Sequence, residues 1–403
     1  FTVNAKEYRL VSPDQKNVIK VSVNKTISWS IIRNHDTLLT PSQMGMTLGE
    51  KQRLGLAPTI LNAVYSSVNK TIIAAIPIKN KLIPEVYRQL RLNIKGGYAI
   101  EFRAYNDGVA YRFVTDLGNR KVVIKDEEVI LNFNKDCEIY LPKEDDPEFR
   151  SHYEGLFSAM KLAEIPSIKY GYLPLYVSDP SGCKMVITEA DLKDYPNLFL
   201  FGSGGKSLSG RFPKVVLESK PTGNVHLDDI LVRKADYNAE TTGNRTYPWR
   251  VVIISPDDKG LLENELVYKL ACENTIEDPE WIKPGKVAWD WWNDRTLYDV
   301  NFRAGINLDT YKYYINFAAE YGLDYVVLDE GWSKSASDVL HWNPDLDFPN
   351  VLKHANDKTV GVILWSLWKP LDENMDEILD QFVKWGIKGV KVDFMARADQ
   401  YMV

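Results

Sequence analysis

Four short apolar runs in the last third of the chain each end on a carboxylate or an indole ring, and their recurrence is that of a repeating strand-helix unit. Lys286-Val-Ala-Trp-Asp-Trp-Trp292 runs into Asn293, and Asp324-Tyr-Val-Val-Leu328 runs into Asp329-Glu330-Gly331-Trp332. Val360-Gly-Val-Ile-Leu364 runs into Trp365 and Trp368, and Gly386-Ile-Lys-Gly-Val-Lys-Val-Asp-Phe-Met395 delivers Lys391 and then Asp393. Successive runs start roughly 30 to 40 residues apart, the spacing of βα units. Amphipathic stretches fill the gaps. Leu371, Met375, Ile378, Leu379, Phe382 and Trp385 fall at helical spacing with Gly386 in the C′ place, and Leu308 to Tyr321 sets Tyr311, Tyr314, Ile315 and Ala318 on one face before Gly322.

Strands of this kind form a parallel sheet covered by helices, and in a closed α/β barrel the chemistry sits where the strands end. Four strands are half of an eight-stranded barrel. The sequence stops at Val403, so the remaining half is expected to follow, because a bare parallel edge with one apolar face open invites aggregation. The strand ends gather acids and indoles, a combination suited to a sugar, whose C–H faces stack on rings while a carboxylate handles the anomeric carbon.

Upstream, from Phe1 to about Leu270, helical periodicity is nearly absent and β-alternation recurs. Tyr98 to Ala104 leads through Asn106-Asp107-Gly108 into Val109 to Phe113, a hairpin. Val18 to Ile32, Thr71 to Pro77, Val122 to Phe133 and Val215 to Leu217 are further runs, parted by Asn, Gly and Pro. The expected organisation is multidomain, β plus α/β: residues 1–272 as a β-sandwich, 273–285 as a linker holding Pro279 and Pro284, and 286–403 as the first half of a barrel. Nine of the 11 tryptophans lie after position 280, which marks the change.

Composition excludes several classes. A chain of 403 residues, 45% hydrophobic and 26% charged, has ample material for a core. A net charge of −6 and the absence of a basic stripe argue against nucleic acid as a partner. No apolar run approaches the roughly 20 residues that span a bilayer. A start at Phe1 fits an exported, processed product, so a periplasmic or secreted location is expected. Cys137, Cys183 and Cys272 are odd in number and widely spaced, which indicates neither a disulfide framework nor a zinc site. Among the five histidines there is no HExxH, and neither a GxSxG elbow nor a Walker A loop occurs; Gly202-Ser-Gly-Gly205 reads as a turn.

With an N-terminal β region followed by Lys286-Val-Ala-Trp-Asp-Trp-Trp-Asn293, Tyr321-Gly-Leu-Asp-Tyr-Val-Val-Leu-Asp-Glu-Gly-Trp332 and Gly389-Val-Lys-Val-Asp-Phe-Met395, the chain resembles glycoside hydrolase family 97 along its whole length. The resemblance implies a β-super-sandwich, a (β/α)8 barrel of TIM type and a small C-terminal β domain. It implies an exo-acting α-glycosidase. Asp393 stands where retaining members carry their nucleophile, and the Lys-Val-Asp context is similar to that of retaining α-galactosidases. Lys391, Glu330, Asp290 and Trp291 become candidate substrate contacts, and the general acid is expected beyond Val403. Calcium is implied as cofactor, with Glu189 in Met185-Val-Ile-Thr-Glu189 its candidate ligand from the β region.

The residues alone leave alternatives open. A strand-end Asp393 could cap a following helix, Glu189 could be an ordinary loop acid, and Asp290 and Trp291 could be packing residues. Within the family, an α-glucosidase or a β-L-arabinopyranosidase shares the motifs, and a non-catalytic carbohydrate-binding protein would also use aromatic strand ends. The carboxylate at position 393 favours the enzyme.

Overall fold

The computed structural model describes residues 6–142, 146–226 and 229–403 of the chain. They form two units that interleave along the sequence. One holds the described residues up to Ser219 together with Leu231–Glu277 and Arg397–Val403, and the other holds those of Lys220–Ile230 together with Asp278–Ala396.

The first unit is antiparallel β-structure organised by one strand, Gly108–Asn132, 25 residues long. Such a strand outruns any single partner. It therefore pairs in turn with Tyr98–Tyr105, Asp36–Leu48, Ser207–Arg211, Ala239–Thr246 and Trp249–Ser255. Its alternate residues Val109, Tyr111, Phe113, Val122, Ile124, Val129 and Leu131 point into one large core with Trp29, Phe102 and Ile139. The Asn106-Asp107 turn closes as the sequence predicts, with Tyr105 opposite Gly108. A side chain at Gly108 would meet Leu266 Cδ2 at 2.5 Å and Val252 O at 2.7 Å, so glycine permits the close approach of the neighbouring strand. The run from Val18 to Ile32 is itself a hairpin, Asn17–Val23 with Ile27–Arg33, because Asn24-Lys25-Thr26 turns the chain. Two short helices, Asp258–Leu262 and Leu266–Leu270, interrupt a region expected to be helix-free.

The second unit carries a four-stranded parallel sheet in chain order: β1 (Val287–Trp289), β2 (Tyr325–Leu328), β3 (Gly361–Leu367) and β4 (Gly389–Asp393). Helix α1 (Leu308–Tyr321) follows β1, its N-cap Asn307 accepting the Thr310 N–H at 3.0 Å and Gly322 ending it at φ 65°. Tyr311, Tyr314, Ile315 and Ala318 are its buried face, as their spacing requires. Helix α2 (Phe348–Asp357) starts with Pro349 in its first turn, where the missing N–H costs nothing. The segment from Leu371 to Trp385 departs from expectation. It breaks at Asn374, whose φ of −139° is not helical, giving Trp368–Glu373 and then α3 (Met375–Lys384). Only Leu371, Ile378 and Phe382 of the predicted stripe are buried; Met375 and Leu379 are exposed.

Aromatic residues of the α/β unit pack as core. Trp332 is wholly buried against Phe348, Phe382 and Trp385, and its indole N–H donates to Trp365 O at 2.9 Å. Gly331, at φ 112°, makes this possible, since a Cβ there would lie 2.2 Å from Ile306 Cδ1. Replacing Trp332 by Ala leaves a large void and an unsatisfied carbonyl, so Trp332→Ala is expected to cost about 3–5 kcal/mol in urea-induced unfolding of this unit.

Candidate active site

The C-terminal ends of β1 to β4 gather four carboxylates, Asp290, Asp329, Glu330 and Asp393, and the ammonium of Lys391, and register places them. Trp365 on β3 is paired with Lys391 on β4, and Leu367 with Asp393. Residues two apart on a strand share a face, so Lys391 and Asp393 project together. Lys391 Nζ donates to Asp393 Oδ2 at 2.9 Å and to Asp329 Oδ2 at 2.7 Å, and lies 4.6 Å from the centroid of the Trp289 ring. Burial works against its charge, but the two carboxylates outweigh burial and hold the ammonium above its ordinary value.

Asp393 is the exposed member of this cluster, its side chain 36% accessible. Its Oδ2 accepts the Trp365 indole N–H at 3.0 Å as well as Lys391, and its Oδ1 accepts the Phe394 backbone N–H at 2.9 Å. Partial burial pushes the carboxyl up; the hydrogen bonds from Lys391, Trp365 and Phe394 prevail and hold it below the usual carboxylate value. Phe394 adopts φ 64°, a left-handed conformation that β-carbon sterics disfavour and that turns its N–H back onto the carboxylate. Among the described residues, those directly after Asp393 are irregular, so Asp393 caps no helix there.

Asp329 is nearly buried and accepts three hydrogen bonds, from Trp289 Nε1 at 2.6 Å, Lys391 Nζ at 2.7 Å and the Glu330 N–H at 2.8 Å. It holds Lys391 in place. Asp290 corrects an expectation, because it has no exposed surface and so does not meet a sugar. Its Oδ1 accepts the Asp329 N–H at 3.0 Å and its Oδ2 the Tyr311 hydroxyl at 3.2 Å, with Arg295 Nη1 at 3.8 Å. It positions the end of β2 from beneath. Trp291 is about half exposed, with the Arg295 guanidinium 4.7 Å from its ring centroid. Glu330 is also partly exposed, but both its oxygens are taken by His226 Nε2, at 2.8 and 2.9 Å. His226 also lies against Phe394, ring centroids 5.1 Å apart.

His226, Asp329, Trp289 and Trp365 are site residues that the sequence reading did not select. Asp329 and the two indoles stand inside the quoted strand-end motifs, where the pairing of β1 to β4 was the missing information. His226 gives no signal, being 104 residues from its partner Glu330 in a turn-rich segment.

Glu189 lies in the antiparallel unit. Its Oε2 is paired with Arg250 Nη1 at 2.5 Å, and its Oε1 accepts from Asn197 Nδ2 at 3.3 Å and the Leu198 N–H at 3.2 Å. Burial raises its pKa against the pull of Arg250. Calcium takes about six to eight oxygens, and a guanidinium in salt-bridge contact repels a cation. Among the described residues no group of three or more His, Cys, Asp or Glu stands close enough to hold a metal ion, so the residues present do not by themselves fit one. Arg397 and Asp399, which follow β4, are buried and paired with each other at 2.8 and 3.0 Å.

The model of the glycosyl-hydrolase 97 N-terminal domain matches residues 10–272, and that of glycoside hydrolase 97 matches residues 291–403. The chain belongs to glycoside hydrolase family 97. It is 34% identical to a retaining alpha-galactosidase of Bacteroides thetaiotaomicron, over 98% of this chain and 61% of that protein. A probable retaining alpha-galactosidase of Streptomyces bingchenggensis is 26% identical over 93% of this chain and 54% of its own length. The chain thus spans roughly three fifths of these relatives. Among solved structures, a family 97 enzyme in complex with acarbose from a Pseudoalteromonas species has a TM-score of 0.80 at 19% identity, covering 97% of this chain and 59% of that one. A beta-arabinopyranosidase has a TM-score of 0.81 at 18% identity, covering 98% and 63%. Both show the shared multidomain, β-rich fold. No helix among the described residues is long and apolar enough to cross a membrane.

The buried Asp290 gives this family 97 site a pH signature. Burial pushes its carboxyl from 3.8 up to about 6, despite the Asp329 N–H and Arg295. A raised folded-state value means stability that is fully present below the unfolded value and is lost as pH rises through the folded one. Asp290→Asn keeps an acceptor for the Asp329 N–H and cannot ionise. Urea unfolding at pH 4 and pH 7 should show the wild type losing more stability over that window than the variant, by on the order of 2–3 kcal/mol.

Proposed function

We propose that the protein is an exo-acting glycosidase that releases terminal α-galactose with retention, Asp393 being the nucleophile. The observation that carries this reading is a partly exposed carboxylate at the end of β4, held ionised and aimed by Lys391, Trp365 and the Phe394 N–H. An ionised oxygen next to the anomeric carbon attacks it, forming the carbon–oxygen bond of a glycosyl ester as the bond to the leaving oxygen breaks. A water then displaces Asp393 from the opposite face, restoring the original configuration. The identity of 34% to a protein named a retaining alpha-galactosidase supports the choice of branch.

In this reading Lys391 fixes the nucleophile, and Trp291 and Glu330 are the substrate contacts on the rim, Glu330 oriented by His226. The four parallel strands are proposed as the first half of a (β/α)8 barrel, β1, β2 and β3 each being followed by a helix before the next parallel strand, on the pattern of that fold. By family resemblance, the proton donor to the leaving oxygen belongs to the portion of the relatives that this chain does not span. Calcium also rests on resemblance. Glu189 would be the ligand supplied here, and chelation followed by metal analysis tests it: activity lost with EDTA and restored by Ca2+ supports the ion, whereas unchanged activity with no bound metal removes it.

In the intact protein, Asp393→Gly is expected to lower kcat/KM on aryl α-galactosides by at least about 10⁴-fold. Azide should restore turnover and yield the β-galactosyl azide, because a small anion occupies the space of the lost carboxylate and attacks once. Near-normal hydrolysis by this variant would defeat the assignment. A panel including aryl α-glucosides and β-L-arabinopyranosides separates the related specificities.

A further inference from the structure

The antiparallel unit contains a groove of about 960 Å3 between the tip of the hairpin Ile60–Ile73/Leu82–Ile94 and the segment that carries Tyr268. Its floor is built of stacked rings and guanidinium groups. The Arg103 guanidinium lies 4.3 Å from the Tyr87 ring centroid and 4.7 Å from that of Trp249, and the Arg112 guanidinium lies 4.3 Å from Trp249. Stacking fixes both guanidinium planes and leaves their edges to donate. One edge of each is tied back, Arg103 Nε to Gln89 at 2.9 Å and Arg112 Nε to Glu101 at 2.8 Å, and Arg103 Nη1 also makes a long hydrogen bond of 3.4 Å to the Tyr105 hydroxyl, leaving its second N–H to donate.

The other edges face two carboxylates without closing on them. Arg103 Nη1 is 4.0 Å from Oε1 of Glu85, a residue only 4% exposed, and Arg112 Nη1 is 3.9 Å from Asp191 Oδ2. Lys70 Nζ lies 3.2 Å from Glu85 Oε2, and Lys193 Nζ lies 3.9 Å from Asp191 Oδ1, an oxygen that is buried with no hydrogen-bond partner. A direct N–H···O bond spans about 2.9 Å, so both pairs stand open by about an ångström. A single oxygen set between donor and acceptor, about 2.8 Å from each, closes such a gap.

That oxygen must accept from a guanidinium and donate to a carboxylate. A hydroxyl does both. An anion is repelled by Glu85 and Asp191, and a cation by Arg103 and Arg112. Two such gaps on one floor, flanked by Tyr268 at the wall, match a ligand that presents several hydroxyls on an apolar ring. We propose that this groove is a saccharide-binding site, separate from Asp393 and without hydrolytic chemistry, in which ligand hydroxyls bridge Arg103 to Glu85 and Arg112 to Asp191.

Isothermal titration with maltotriose and with raffinose tests it, in intact protein carrying Asp393→Asn to suppress turnover. At least one of the two sugars should show a binding event beyond the one at the strand-end rim, and Asp191→Asn should weaken that event at least fivefold. Asn tolerates the left-handed backbone of Asp191, φ 57°, so the fold is retained. Tyr268→Ala, at the groove wall, is an independent variant expected to weaken the same event. With Asp393 restored, neither substitution should change kcat on an aryl α-galactoside. A single event for both sugars, a second event indifferent to both variants, or sulfate displacing the sugar would each overturn the proposal. Failure of the catalytic reading appears in turnover, and failure of this one in stoichiometry.

Discussion

One ammonium group holds the strand-end site together. Lys391 stands between Asp329 and Asp393 and over the ring of Trp289, while Trp365 binds the same Asp393 oxygen, so residues on or directly after all four parallel strands meet around it. This contact exists only in one register. Sliding β4 by one residue would turn Lys391 and Asp393 to the opposite face and leave Asp329, nearly buried, without its cation. A buried carboxylate stripped of its partner is strongly destabilising. The geometry that aims Asp393 is therefore the same geometry that the sheet needs in order to pair correctly.

Three aspartates sit within this rim, and their surroundings give them different work. Asp290 has no solvent and is pushed up to about 6, so it acts as a hydrogen-bonded support beneath β2. Asp329 spends both oxygens on three donors and serves as the anchor of Lys391. Asp393 alone combines exposure with a lowered pKa, the two properties an attacking carboxylate requires at neutral pH. The residue type is common to all three; burial and donors separate them.

The periodicity of the sequence carried the architecture of the α/β unit, because strand ends and helix caps are local signals: Leu308–Tyr321 with Asn307 before it and Gly322 after it is a helix whose limits are chemically written. Where local signals compete, reading fails. Leu371 to Trp385 keeps one hydrophobic period, yet Asn374 interrupts the backbone and starts a new helix. Contacts between distant positions were illegible. Glu189 finds Arg250 61 residues away and Glu330 finds His226 104 residues away, and neither pair has a spacing that sequence alone can match. The burial of Asp290 belongs to the same class, since Tyr311, which covers it, lies on the next helix.

The antiparallel unit shows how one strand can serve two kinds of polar chemistry. Trp249 and Arg250 are neighbours on the strand Trp249–Ser255, and alternation sends them to opposite faces. On one face Arg250 is closed between Glu127 and Glu189 by hydrogen bonds of 2.5 to 2.8 Å, with Tyr195 donating to Glu127 at 2.9 Å. That network is satisfied internally and functions as core. On the other face Trp249 carries Arg103 and Arg112; Arg112 Nε closes on Glu101 at 2.8 Å, while the Nη1 groups stand 4.0 Å from Glu85 and 3.9 Å from Asp191. Both faces pair guanidinium with carboxylate, and the strand that separates them is common. The two faces differ in reach: Arg250 is held directly by two carboxylates at once, whereas Arg103 and Arg112 each keep one Nη1 about an ångström beyond direct contact with Glu85 and Asp191.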